Sequence, residues 1–114
     1  LLSASYHGSK LAINRIGRQG AVEAPAIQVL ATPPNAHCVV TDRANRYVYA
    51  TSLGGDVIMQ FRFDAAAGKI TPTDPPTVRS KPKAGPRHLD RRHKNVRFFH
   101  VAQCSSEGIN GSTK

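Results

Sequence analysis

HCVVTDRANRYVYATSLGGDVIMQFRFDAAAGKI, running from His37 to Ile70, reads as three short strands in succession. An apolar segment, His37–Thr41, meets a polar turn at Asp42–Asn45. A second strand, Arg46–Ser52, ends at the Gly54-Gly55 turn, and a third, Asp56–Phe63, closes in a loop at Gly68. In the third strand Val57, Met59, Phe61 and Phe63 alternate with Ile58, Gln60 and Arg62, the period of two of a half-buried strand. In the second, Tyr47–Ala50 is apolar or aromatic throughout, as suits a strand covered on both faces. Short strands joined by tight turns make an antiparallel meander.

Both flanks repeat parts of this unit. Upstream, SASYHGSKLAI (Ser3–Ile13) aligns with YATSLGGDVIM (Tyr49–Met59), setting Ala4 on Ala50, Gly8 on Gly54, Leu11 on Val57 and Ile13 on Met59. Downstream, Ala36-His37-Cys38 aligns with Arg87-His88-Leu89, and Arg46-Tyr47-Val48 with Arg97-Phe98-Phe99. The two spacings, about 46 and about 51 residues, are those of one propeller blade. The expected fold is all-β: a β-propeller fragment of about two to three four-stranded antiparallel blades. A partial blade and linker occupy 1–35, a complete blade and linker 36–84, and an incomplete blade with a loose tail 85–114. Leu1-Leu2 begins mid-strand, as in a chain whose beginning is missing.

Between these units the chain reads as edge and linker. Ala26–Leu30 is a fourth strand, and Thr32-Pro33-Pro34-Asn35 leads inward to the next blade. Lys69–Thr71 begins the outer strand of the second unit, Asp74-Pro75-Pro76 interrupts it, and Thr77–Arg79 resumes it. Lys81–Pro86 is a second inward linker. After His88 the apolar pattern fails: Asp90-Arg91-Arg92-His93-Lys94 stands where the earlier unit has Val39-Val40-Thr41-Asp42-Arg43, and Cys104–Lys114 is polar with almost no period.

Composition narrows the function classes. The chain has 114 residues, 39% of them hydrophobic, and no apolar run of the roughly 18 residues that cross a membrane. Cys38 and Cys104 lack metal-site spacing, so no metal and no disulfide scaffold is expected, and a reducing compartment is the default. The formal charge is +9, and eight of the sixteen Lys and Arg residues fall within Arg79–Arg97. Such a run could meet phosphate backbones, but it lacks aromatics for base stacking, which weighs against nucleic acid. Tyr6, His7 and Arg43 sit on turns and read as solvated surface; Gly54-Gly55 is turn chemistry and not a phosphate loop.

Three segments carry a family resemblance: ASYHGSKLAINRI, AHCVVTDRANRYVYATSLGGDVIMQF and, above all, DPPTVRSKPKAGPRHL. With them the chain resembles the bacterial 6-phosphogluconolactonase family of the lactonase type, a seven-bladed β-propeller, from Leu1 to about His88. The Ala84-Gly85-Pro86-Arg87-His88 run after a Pro-rich linker is the most specific piece. The resemblance implies hydrolysis of 6-phosphogluconolactone to 6-phosphogluconate by the parent protein, in the cytoplasmic pentose phosphate pathway. It implies a small phosphorylated sugar lactone as partner and no cofactor. The departures are the charged strand Asp90–Lys94 and Ala102-Gln103 in place of the family's Asn-Glu pair. Other readings of the same fold are a non-catalytic binding module and a carboxymuconate cyclase-like enzyme.

First strands of propeller blades line a central channel, and loops at its mouth form the site. The repeat gives His37 and His88 one position in successive blades, with Arg87 beside His88. Lactone hydrolysis needs a base near neutrality, which imidazole supplies, and a cation for oxyanion or phosphate. His88 and His37 are therefore the catalytic candidates, and Arg87 the substrate-binding one. The charged run after His88 predicts that order resides in Leu1–Arg79. Limited proteolysis by trypsin should begin within Arg91–Arg97 and spare Tyr47–Arg62; first cleavage at Arg62 would refute the blade reading.

Overall fold

The alternating residues of the central meander become a four-stranded antiparallel sheet. The structure is a computed structural model that describes residues 1–80, 85–91 and 99–103, and every regular element among them is a strand. The strands are β1 (Leu2–Ser5), β2 (Lys10–Ile13), β3 (Gln28–Ala31), β4 (Ala36–Thr41), β5 (Tyr47–Ser52), β6 (Val57–Asp64), β7 (Lys69–Arg79), β8 (Pro86–Arg91) and β9 (Phe99–Gln103). They pair in chain order as β1-β2-β3, β4-β5-β6-β7 and β8-β9. The expected linker stretch Lys81–Ala84, the basic run from Arg92 to Arg97 and the tail from Cys104 onward lie outside the described residues.

The outer strand β7 is one element from Lys69 to Arg79, and the expected interruption at Asp74-Pro75-Pro76 falls in its pairing with β6, which slips between Phe61↔Pro72 and Met59↔Thr77 and resumes over Thr77–Arg79. Gln60 spans the slip, its Nε2 donating to the Pro75 carbonyl at 3.1 Å. An outer strand tolerates prolines because fewer of its N–H groups are required by a ladder.

One apolar cluster joins the first two sheets. It contains Leu11 and Ile13 from β2, Ala36 from β4, Val48 and Ala50 from β5, Val57, Met59 and Phe61 from β6, and Ile70 from β7. Each buried Val, Leu, Ile, Met or Phe side chain contributes about 1.5–3 kcal/mol, and the two alanines less. The alternation in β6 is as expected, with Val57, Met59 and Phe61 buried and Ile58, Gln60 and Arg62 more exposed.

The repeat is real, but its register moves by one residue at both joints. In the first turn Ser5 Oγ accepts from the Gly8 N–H at 3.1 Å; in the second, Ser52 Oγ accepts from the Gly55 N–H at 3.0 Å. A Cβ at Gly8 would stand 2.6 Å from Ser5 Oγ, and one at Gly55 2.7 Å from Ser52 Oγ. The following residues, Ser9 and Asp56, share a left-handed backbone with φ of 52° and 55°. Gly8 thus corresponds to Gly55, not to Gly54. The physical reason lies in how blades stack. Leu11 and Ile13 occupy the forward face of the first sheet, and Val57, Met59 and Phe61 the backward face of the second. Matching apolar positions in sequence aligned the two faces that touch, whereas equivalent residues lie one position further on.

The downstream joint behaves alike. The β4–β5 pairing slips between Ala36↔Ser52 and Cys38↔Thr51, and the β8–β9 pairing between Pro86↔Gln103 and His88↔Ala102. Asn35 and Gly85, just before these strands, have φ of 63° and 59°. Ala36 therefore corresponds to Pro86, and both are buried.

The sheets are also tied by polar contacts. Gln28 of β3 receives the Ile70 N–H on Oε1 at 2.8 Å and donates Nε2 to the Ile70 carbonyl at 3.0 Å. Its amide thus occupies the open edge of β7 as a further strand would. Replacing Gln28 by Leu keeps the volume but leaves both backbone groups of Ile70 without that partner, a cost of about 1–3 kcal/mol. Urea unfolding of Gln28→Leu should show a lower midpoint at unchanged slope; an unchanged midpoint would mean the amide does not join the sheets.

Candidate functional site

The residues picked from sequence gather where first strands begin. The β1–β2 turn, the start of β4, the β5–β6 turn and the start of β8 all lie at one end of the sheets. Backbone hydrogen bonds hold this end. Leu53 N–H donates to the Asn35 carbonyl at 2.9 Å, and Gly54 N–H to the Pro34 carbonyl at 3.1 Å. Ser52 Oγ–H also donates to the Pro34 carbonyl, at 2.6 Å.

His37 follows on this frame and is half-buried. The Tyr6 ring meets it edge-on, with centroids 5.9 Å apart and planes at 85°. Tyr6 also meets His7 edge-on at 5.1 Å, and its carbonyl accepts from Asn35 Nδ2 at 3.4 Å. Tyr6 and His7 are exposed, as expected of turn residues, and in addition the Tyr6 ring, 37% exposed, meets the imidazole of the next blade. The corrected register carries the signal: Tyr6-His7 corresponds to Leu53-Gly54, the part of each turn that stands over the next first strand. Leu53 likewise lies against Gly85, where an added Cβ would be 3.5 Å from Leu53 Cγ.

Arg87 and His88 are placed by backbone register on β8, which runs beside β4 and β5 as β4 runs beside β1. Leu89 N–H donates to Cys38 Sγ at 3.4 Å, fixing the two first strands side by side. In this register Arg87 corresponds to His37, and His88 to Cys38. Successive first strands thus offer an imidazole, then a guanidinium-bearing residue, at one height. The expectation of two histidines at equal positions gives way to this pairing. Among the described residues no group of three His, Cys, Asp or Glu side chains could hold a metal ion.

Arg43 belongs to the other end and is exposed. There Asp42, 1% exposed, closes the β4–β5 turn. Its Oδ1 accepts from the Arg46 N–H at 2.8 Å and the Tyr47 N–H at 3.2 Å. Burial pushes the Tyr49 phenol above its ordinary 10.0, with the charges of Asp42 and Tyr47 adding to the effect. This acid–phenol group serves the turn and is remote from the mouth.

Antiparallel sheets stacked face to face, each entered by a first strand beside that of its neighbour, make this an array of β-propeller blades. Residues 1–110 match the lactonase family of 7-bladed β-propellers, and the chain belongs to that family. It is 36% identical over 93 residues to a 6-phosphogluconolactonase of Sodalis glossinidius (strain morsitans), covering 82% of this chain and 28% of that protein. It is 34% identical over 107 residues to a 6-phosphogluconolactonase of Yersinia pestis (strain Pestoides F), covering 94% of this chain and 30% of that protein. The chain therefore spans less than a third of the length of these relatives. Among solved structures, the periplasmic gluconolactonase of Pseudomonas aeruginosa superposes with a TM-score of 0.76 at 25% identity, over 99% of this chain and 37% of that one. A candidate 6-phosphogluconolactonase of Bacteroides fragilis NCTC 9343 shares the fold, with a TM-score of 0.77 at 23% identity over 98% and 37%. No helix among the described residues is long and apolar enough to cross a membrane.

The raised phenol has a pH consequence. Because the folded state favours the protonated ring, its contribution is complete below pH 10.0 and is lost as pH rises through the folded value. Unfolding free energy measured by urea across this alkaline range should fall less steeply in Tyr49→Phe than in the unaltered protein. Identical slopes would refute a raised phenol.

Proposed function

We propose that the protein containing these blades hydrolyses 6-phosphogluconolactone to 6-phosphogluconate, and that His37, Arg87 and His88 belong to its site. The observation that supports this reading is the backbone register, which puts the positions of Arg87 and His88 on β8, beside the β4 strand that carries the half-buried His37. The names of the relatives at 34% and 36% identity support the substrate class.

The chemistry asks for little. A neutral imidazole, His88 or His37, takes a proton from water as the oxygen attacks the ring carbonyl. The oxyanion of the tetrahedral intermediate draws on nearby donors, among which Arg87 is the fixed cation. Collapse breaks the ring C–O bond, and the imidazolium returns its proton to the departing alkoxide. Guanidinium also matches the planar fork of a phosphate oxygen pair better than an ammonium does. The Tyr6 and His7 rings would line the approach to His37. A cytoplasmic setting accords with Cys38 as a free thiol.

Kinetics on the full-length protein test the assignment. Loss of a general base costs about 100-fold or more in kcat/KM, so His37→Ala or His88→Ala should show which imidazole has that role. Arg87→Ala should raise KM for the phosphorylated lactone far more than for gluconolactone without phosphate. Wild-type constants in all three variants would overturn the site. Turnover of a muconate but of neither lactone would move the protein to cyclase chemistry, and turnover of none of them to a binding role.

A further inference from the structure

The left-handed turn residue does more than close its hairpin. In the first sheet the Ser9 carbonyl accepts from the Thr32 N–H at 2.9 Å, and Ser9 Oγ accepts from the Asn35 N–H at 3.0 Å. In the second sheet the Asp56 carbonyl accepts from the Ser80 N–H at 2.8 Å and from Ser80 Oγ at 2.8 Å, and Asp56 Oδ1 accepts from the Gly85 N–H at 3.0 Å. Each turn residue thus takes one N–H from the end of its outer strand and one from the residue that opens the next first strand. The inward linkers differ in length and sequence, Pro33-Pro34 against Lys81–Ala84. The staple across them is the same. Ser9 and Asp56 share a φ near 55°, and Asn35 and Gly85 share a φ near 60°.

The second staple bears directly on the mouth. Gly85, held by Asp56, is followed by Pro86, which is fully buried. Leu89, 6% exposed, donates its N–H to Cys38 Sγ at 3.4 Å. Arg87 and His88 lie between these two anchors, and Asp56 is the anchor on the side where the chain crosses from one blade to the next. The first staple stands in the same relation to His37, which follows Asn35. The acceptor is a carboxylate in the second case, and hydrogen bonds to charged acceptors are shorter and stronger than neutral ones.

We propose that Asp56 is a positioning residue for the mouth: by stapling Ser80 and Gly85 it sets where Arg87 and His88 stand relative to His37. The proposal rests on the lactonase reading for its kinetic consequence, and on hydrogen bonding alone for its structural one. Two substitutions separate geometry from strain. Asp56→Gly accepts the left-handed backbone at no steric cost and removes the side-chain acceptor. Asp56→Asn also tolerates that backbone and keeps the Oδ1 acceptor. Gln28→Leu weakens the fold between the first two sheets without touching the mouth.

The experiment measures lactone kinetics and amide hydrogen exchange of the segment 85–91 in the full-length protein. Displacement of catalytic groups by about an ångström costs about 100-fold, so Asp56→Gly should lose about 10- to 100-fold in kcat, with faster exchange at Gly85. Asp56→Asn should restore most of both, and Gln28→Leu should leave kcat in place while lowering the unfolding midpoint. Wild-type kcat in Asp56→Gly, or an Asn variant as slow as the Gly one, would overturn the positioning role. If the unaltered protein hydrolyses no lactone, the functional reading fails instead. Exchange at Gly85 then judges the staple by itself, and equal protection in the Gly variant and the unaltered protein would overturn it.

Discussion

The structure depends on one sheet lying flat on the next. Neither the three-stranded β1–β3 sheet nor the four-stranded β4–β7 sheet encloses a core of its own; Leu11 and Ile13 are buried in one cluster with Ala36, Val48, Ala50, Val57, Met59, Phe61 and Ile70 of the following blade. A blade is thus stable in proportion to its neighbours, as in other repeat architectures. The polar contacts follow that packing. Gln28 can reach Ile70, and Asn35 can reach Ser9, because the apolar faces have already fixed the distance between the sheets.

That dependence explains what could be read from residues alone. The strands of the central meander were legible because alternation in Val57–Phe63 and turn chemistry at Gly54-Gly55 are local signals. The family followed from the Ala84–His88 run. The exact register was not legible, because stacked blades expose opposite faces to each other. Leu11 and Val57 look alike since both are buried in one interface, not since they are equivalent. The glycines that define equivalence, Gly8 and Gly55, are chosen by contact with Ser5 Oγ and Ser52 Oγ, which spacing does not reveal. Likewise the closeness of Tyr6 to His37 comes from a turn in one blade overhanging the next, and no periodicity within a blade encodes it.

The two ends of the sheets have different tasks. At one end Asp42 spends its acceptor on the Arg46 and Tyr47 amides and holds a turn shut. At the other, serine and aspartate side chains on left-handed turn residues take amides from the next blade. The first arrangement is internal to a blade; the second couples blades and lies at the end where β4 and β8 begin. His37 stands on β4 and Arg87 and His88 on β8, so small changes in stacking angle alter the distances among these backbone positions.

The outer strand β7 has a consequence for growth of the assembly. Pro72, Pro75 and Pro76 bring no N–H to β7, its pairing with β6 slips at Gln60, and the Gln28 amide covers Ile70. A foreign strand that tried to extend the sheet sideways would meet missing donors and an already occupied register. Sideways growth is thus closed off at β7, and a further sheet meets this one by stacking face upon face, as β1–β3 and β4–β7 already do.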